Sequence, residues 1–325
     1  MGGSGDAAAS VLVLVVVLGG GAFLGAGGIA WASELAVVTS CMDLHADQTP
    51  ATFTATLGNV PDLVTVDAAP YRFSAEEVTI PSRTAGISLG AWWAAPKKPE
   101  TRVVIVVHGK LSCRHGPAVL LPAGMLHKAG FGVLMIDLRN HGTSDRDNGN
   151  WARGTDEWQD VLGGFDWLRA RGVPAASIGL AGYSVGAGAS VCALGHEPTA
   201  AAAWLDSPYS GIVSMKVAGP LKAVLAPVAM VMGQVLGGDP LLGETPEEVF
   251  RTRLAGRPVA VVHGDADQTI PVEQGERLAV AAGVGGTKVT PWIVAGAGHI
   301  ESAFLQPAEY ERRMAAFFKA SLKVG

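Results

Sequence analysis

The sequence predicts an α/β protein with a mostly parallel central sheet, helices on both faces and a small helical lid. Three observations carry this. Short runs that are almost wholly apolar, such as RVVIVV at 102–107, alternate with longer segments of helical spacing. Strands buried on both faces beneath crossover helices read this way. Clusters of His, Asp, Ser and Gly directly follow those runs, and ligands of open α/β sheets bind at the carboxyl ends of the strands. The 325 residues are 49% hydrophobic and 16% charged, enough for one domain of about 250 residues with an appendage.

The elements follow in order. Residues 77–81 and 87–95 are strand-like and predict an antiparallel start to the sheet. The strand at 102–107 ends in His108-Gly109-Lys110-Leu111, and 117–129 has helical spacing. The strand at 133–136 runs into DLRNHGTSD at 137–145. Residues 155–171 form an amphipathic helix with Trp158, Val161, Leu162, Phe165 and Leu168 on one face. A strand at 178–181 enters Gly182-Tyr183-Ser184-Val185-Gly186, and small residues lead into a helix. Strands at 201–205 and 259–262 end in Asp206-Ser207-Pro208-Tyr209 and His263-Gly264-Asp265-Ala266-Asp267. A helix at 271–282, a strand at 288–294 and a helix at 307–322 close the chain. The stretch 207–256 breaks the alternation and reads as a lid with an apolar inner face. Within it, Pro220, Pro227, Lys222 and Gln234 argue against a membrane span at 217–236.

The appendage divides into a polar tail at 1–10, an apolar segment at 11–32 and a connector at 33–75, with the main domain at 76–325. The 22 residues 11–32 carry no charge and match a hydrocarbon core of about 30 Å as a helix. A single-pass membrane anchor is the leading reading. A cleaved signal stays open, since Ala30-Trp31-Ala32 resembles a cleavage site, although 1–10 lacks the basic residues of a signal peptide. Lipidation at Val38-Thr39-Ser40-Cys41 and a buried core helix also stay open. Sidedness is not readable, because the nearest flanking charges are Asp6 and Glu34. The connector is expected to carry little regular structure and to pack against the main domain. Cys41, Cys113 and Cys192 are too few and too scattered to predict a disulfide framework or a zinc site. They leave the redox compartment open. A net charge of −5 gives no footprint for nucleic acid, and no cofactor is implied. Trp92, Trp93, Trp151 and Trp158 read as core or surface aromatics.

GYSVG at 182–186 has the form G-x-S-x-G between a strand and a helix. That context puts a serine hydroxyl on a sharp turn at the sheet edge, beside the positive end of a helix. In a chain with 43 glycines the five residues alone are a weak signal. The wider set is stronger. His108-Gly109, the 137–145 block, GYSVG, LDSPY at 205–209, HGDADQTIP at 263–271 and GAGH at 296–299 occur in that order. Together they resemble the α/β-hydrolase family, in particular its serine aminopeptidase and monoacylglycerol-lipase branch, which includes membrane-anchored members.

The resemblance covers roughly 76–319 and implies an α/β-hydrolase fold. It also implies a nucleophile, acid and base in the order Ser184, Asp267 and His299. A serine hydroxyl needs an adjacent base, which would be His299, held in its tautomer by Asp267. Asp265 competes for the acid role, but by resemblance it caps the turn. The oxyanion would meet the backbone amides of Val185 and Lys110. Lys110 departs from the bulky apolar residue common there, which bears on the acyl pocket. His108 and His141 would belong to structural turns. The implied activity is cleavage of carboxylic esters, acyl or lipid, through an acyl-enzyme. A peptidase using the same residues is the first rival, with Asp206 or Glu301 nominated to hold a substrate amine. A non-catalytic binding protein of the same fold is the second. The implied partners are an ester or lipid substrate and, through 11–32, a membrane.

Overall fold

The computed structural model describes residues 40–57, 63–97, 101–147, 156–211 and 244–324. The predicted anchor at 11–32, the part of the predicted lid at 212–243 and Trp151 lie outside the described residues. Among the described residues no helix is long and apolar enough to cross a membrane.

The main sheet has eight strands: β3 (Glu76–Pro81), β4 (Ser88–Ala94), β5 (Val103–Val107), β6 (Gly132–Ile136), β7 (Ile178–Tyr183), β8 (Ala202–Asp206), β9 (Val259–Gly264) and β10 (Trp292–Val294). Their order is β10-β9-β8-β7-β5-β6-β4-β3. Only the β3–β4 and β4–β6 pairings are antiparallel. The other five are parallel. Every residue of β5, β6, β7 and β8 is buried, which is why these strands read as unbroken apolar runs rather than as alternation. β10 is shorter than the predicted 288–294 and begins just after Pro291, whose ring nitrogen has no hydrogen for a ladder.

The alternation of side chains along β5 divides the core. Val103, Ile105 and Val107 face α3 (Trp158–Ala170), α4 (Val185–His196), α5 (Pro246–Thr252) and α6 (Glu273–Val284). Val104 and Val106 face α2 (Pro117–Lys128), α7 (Ser302–Leu305) and α8 (Pro307–Ser321). Val161, Leu162, Phe165 and Leu168 of α3 are buried as the spacing predicts, with Trp158 half-buried beside them. Trp92 is buried and Trp93 partly so.

The connector carries little regular structure and packs against the main domain, whereas the expectation for the cysteines is corrected. The connector holds α1 (Ser40–His45) and a hairpin of β1 (Ala55–Leu57) and β2 (Val64–Val66). Phe53, Tyr71 and Phe73 are buried against the α2 side of the sheet. Gly124 of α2 lies so close to Tyr71 that a Cβ there would overlap it. These anchors are spaced irregularly, so no periodicity announces them. The cysteines pair: Cys41 of α1 is disulfide-bonded to Cys113, 72 residues away, leaving Cys192 free and buried.

Closing a loop of that length stabilises a fold by up to about 4 kcal/mol on the chain-entropy account. Reduction should therefore lower the thermal midpoint. An unchanged midpoint in dithiothreitol, with Cys41 and Cys113 shown to be alkylated, would remove the bond from the stability account.

The two described ends of the inserted stretch meet. The amide of Glu247 donates to the Ser210 carbonyl at 2.9 Å. Thr245 starts α5 with a reciprocal cap to Glu248, satisfying amides that the first helical turn leaves open.

Candidate active site

β7 and α4 meet at Ser184, which sits at φ 55° and ψ −117°. A non-glycine residue there is strained, and its surroundings hold it. The Ser184 amide donates to the Asp206 carbonyl on β8 at 2.9 Å. Gly182 and Gly186 let strand and helix pass, since a Cβ on Gly182 would overlap the backbone of Gly186 and Ala187. One on Gly186 would overlap the carbonyls of Val107 and His108.

Three loops at the carboxyl edge of the sheet bring Ser184, His299 and Asp267 together. Ser184 Oγ lies 2.9 Å from His299 Nε2, and His299 Nδ1 lies 2.8 Å from Asp267 Oδ2. The ring of His299 can therefore carry its hydrogen on Nδ1 and offer Nε2 to the serine. Asp267 Oδ1 accepts from the amides of Thr269 and Ile270, both at 2.8 Å. Burial raises the Asp267 carboxyl, but bonds from His263, His299 and the Ile270 amide outweigh that and hold it well below the usual carboxylate range. Asp265 turns elsewhere: its Oδ1 accepts the Gly296 amide at 2.7 Å, the turn-capping role expected of it.

The segment after β5 lies against the serine. A Cβ on Gly109 would stand 3.0 Å from Ser184 Cβ, so Lys110 is the next residue along from that contact. Val185 is the first residue of α4, where a helix has no internal acceptor for its amide. His108 and His141 hold the surrounding turns. His108 Nδ1–H donates to the Gly109 carbonyl at 2.7 Å, and Nε2 accepts the Leu138 amide at 3.0 Å. His141 Nδ1–H donates to the Arg139 carbonyl at 2.8 Å. Burial is the main cause that lowers both, to about 4 for His108 and about 3 for His141, so both are neutral at physiological pH.

Sequence reasoning missed Arg114. It is 1% exposed. Its backbone amide and Nη1 bind Asp137 at 2.7 and 2.9 Å, and Nη2 binds Glu77 at 2.7 Å. It thereby pins the loop that follows Lys110 to the end of β6. Asp137 lies 23 residues away in sequence, and no local pattern links the pair.

The carboxylates nominated to hold a substrate amine have other partners. Asp206 is fully buried and accepts from Tyr310 Oη at 2.8 Å, and Tyr310 accepts from Trp204 Nε1 at 2.9 Å. Ser207 Oγ lies 3.3 Å from Asp206 Oδ1 and accepts the Ile300 amide at 3.1 Å, so Asp206 supports the loop carrying His299. Glu301 Oε2 accepts the Gly298 amide at 2.9 Å. Tyr209 is buried against α4, where a Cβ on Gly188 would overlap its hydroxyl.

Burial raises the Asp206 carboxyl to about 6, with the Tyr310 bond and nearby His263 and His299 pulling the other way. The folded state thus keeps this proton at a pH where the unfolded chain, near 3.8, has lost it. Stability from this group falls as pH rises from about 4 to 6 and is level above. Asp206→Asn should remove that loss. Its stability relative to the parent should rise by about 3 kcal/mol between pH 4 and 7. A parent-minus-variant difference flat across that range would contradict the assignment.

Residues 98–238 match the family model described as serine aminopeptidase, S33. Among curated proteins the chain is 24% identical to human Protein ABHD12B over 198 residues, 58% of this chain and 51% of that protein. The chain thus spans about half the length of that relative. Among solved structures it resembles the Pyrococcus furiosus esterase Pf2001, with TM-score 0.63, 21% identity and coverage of 82% of this chain and 98% of that one. It also resembles the Pyrococcus horikoshii acylaminoacyl peptidase, with TM-score 0.58, 19% identity and coverage of 77% and 42%. At these identities the structural likenesses establish the fold.

Proposed function

We propose that the chain, which has the α/β-hydrolase fold, cleaves carboxylic esters with an acyl chain, using Ser184 as nucleophile, His299 as base and Asp267 as acid. The observation that carries the reading is the continuous line from Ser184 Oγ through His299 to Asp267, at 2.9 and 2.8 Å. Ser184 Oγ attacks the ester carbonyl as His299 Nε2 takes its proton. Asp267 stabilises the imidazolium that forms. The amides of Val185 and Lys110 receive the oxyanion. His299 returns the proton to the departing alcohol, leaving an acyl group on Ser184. Water, activated by the same histidine, releases the acid.

The S33 match favours a second reading, an aminopeptidase. Against it, Asp206 and Glu301 are already engaged in holding backbone and Tyr310. Two measurements decide. A fluorophosphonate should label the parent. Among nitrophenyl esters, a plain acyl chain should be turned over faster than an acyl group bearing a free α-amine. No labelling would remove the nucleophile, and a preference for the amine would favour the peptidase.

The Cys41–Cys113 bond supports an oxidising compartment for the domain, since disulfides persist there and are rare in the cytosol. With the apolar 11–32 as an anchor, the active site would face the exported side. Protease accessibility of the domain in intact cells tests this, and protection would reverse the topology.

A further inference from the structure

Asp267 is met by a second histidine. His263, at the end of β9, is fully buried. Its Nε2 lies 2.8 Å from the Ile270 carbonyl and 3.4 Å from Asp267 Oδ2, the oxygen that also meets His299. A carbonyl only accepts, so His263 carries a hydrogen on Nε2, bonded to Ile270 and placed beside the Asp267 carboxylate. Its Nδ1 is buried with no hydrogen-bond partner. It faces Gly275 of α6, where a Cβ would stand 2.9 Å from it.

Burying a nitrogen without a partner is unfavourable. An apolar side chain would fill the same space without that cost, so packing alone does not account for a histidine. What it supplies is the fourth donor to the acid. Asp267 Oδ1 already takes two amides and Oδ2 takes His299. His263 Nε2 adds a longer contact on the Oδ2 side, at 3.4 Å, so the carboxylate is approached from both of its oxygens. The same ring grips the Ile270 carbonyl, while the Ile270 amide grips Asp267. β9 thereby clamps the turn that carries the acid.

We propose that His263 is a positioning residue for the reaction, fixing the Asp267 carboxylate at the angle that aligns His299. The inference rests on the triad reading above. His263→Leu removes the donor. His263→Gln keeps one at nearly the same reach. Outer partners that orient metal-binding side chains contribute about 10- to 100-fold, and the same scale is expected for a partner that orients a catalytic carboxylate. The test measures ester kcat and KM for the parent, both variants, Asp267→Asn, and His263→Leu combined with Asp267→Asn.

Expected are a kcat fall of about 10- to 100-fold in His263→Leu with KM unchanged, recovery of most of it in His263→Gln, and no further fall when the leucine is added to Asp267→Asn. A fall of the same factor in both backgrounds, or a glutamine no better than leucine, would mean a structural role and overturn the proposal. So would full activity of His263→Leu. If Asp267→Asn itself leaves kcat intact, the triad reading fails instead. Should the leucine variant not fold, His263→Met, which also lacks a donor, takes its place in both backgrounds.

Discussion

Replacing Ser184 by alanine should lower ester turnover by about 10⁶-fold, the scale seen when a triad nucleophile is removed, with the fold unchanged. The structure says why the second half should hold. Ser184 owes its place to backbone contacts: its amide bonds the Asp206 carbonyl, and Gly182 and Gly186 give it room on either side. Its φ of 55° costs a serine and an alanine alike. The substitution therefore deletes Oγ and its 2.9 Å contact with His299 and little else. Circular dichroism and the thermal midpoint should match the parent, while kcat falls to what the oxyanion amides supply alone. Turnover within about tenfold of the parent would mean that another group attacks the ester. A collapsed midpoint would make the loss uninformative, and Ser184→Cys would then be assayed for a slower but real turnover.

What the sequence disclosed follows from what holds each part together. β5 to β8 were legible because burial on both faces writes an unbroken apolar run. GYSVG was legible because two glycines flank a turn that tolerates no Cβ at either. How the 33–75 segment packs has no periodic signal, because Phe53, Tyr71 and Phe73 bury singly, through long-range contacts. The Cys41–Cys113 bond was missed for a related reason: pairing depends on α1 folding back beside the β5 loop, and nothing local to either cysteine says so. Arg114 is the same case, a buried cation whose partners Glu77 and Asp137 come from two other strand ends. His263 differs. It lies four residues before Asp267 in HGDAD, so proximity was visible, but the direction of its ring was not.

The choice between Asp267 and Asp265 yields the second large effect. Asp267→Asn should reduce kcat by about 10⁴-fold, the cost of presenting the histidine in the wrong tautomer. An amide offers His299 Nδ1 a nitrogen donor or a neutral oxygen, and neither stabilises the imidazolium that forms as Ser184 attacks. The present carboxylate stays ionised far into acid, since its bonds outweigh the burial that would raise it. No lowering of pH within the working range removes its charge, so only substitution reveals its contribution. Asp265→Asn should behave differently. Its side chain caps the Gly296 amide at 2.7 Å, a contact that an asparagine oxygen can keep, so kcat should stay within about threefold and the midpoint should fall by no more than the loss of one capping bond, about 1 kcal/mol. The two variants, two residues apart in the same loop, thus separate charge beside His299 from the folding of the turn. Equal losses in both would mean that the turn's shape matters and the charge does not. A larger loss in Asp265→Asn would transfer the acid role to that residue.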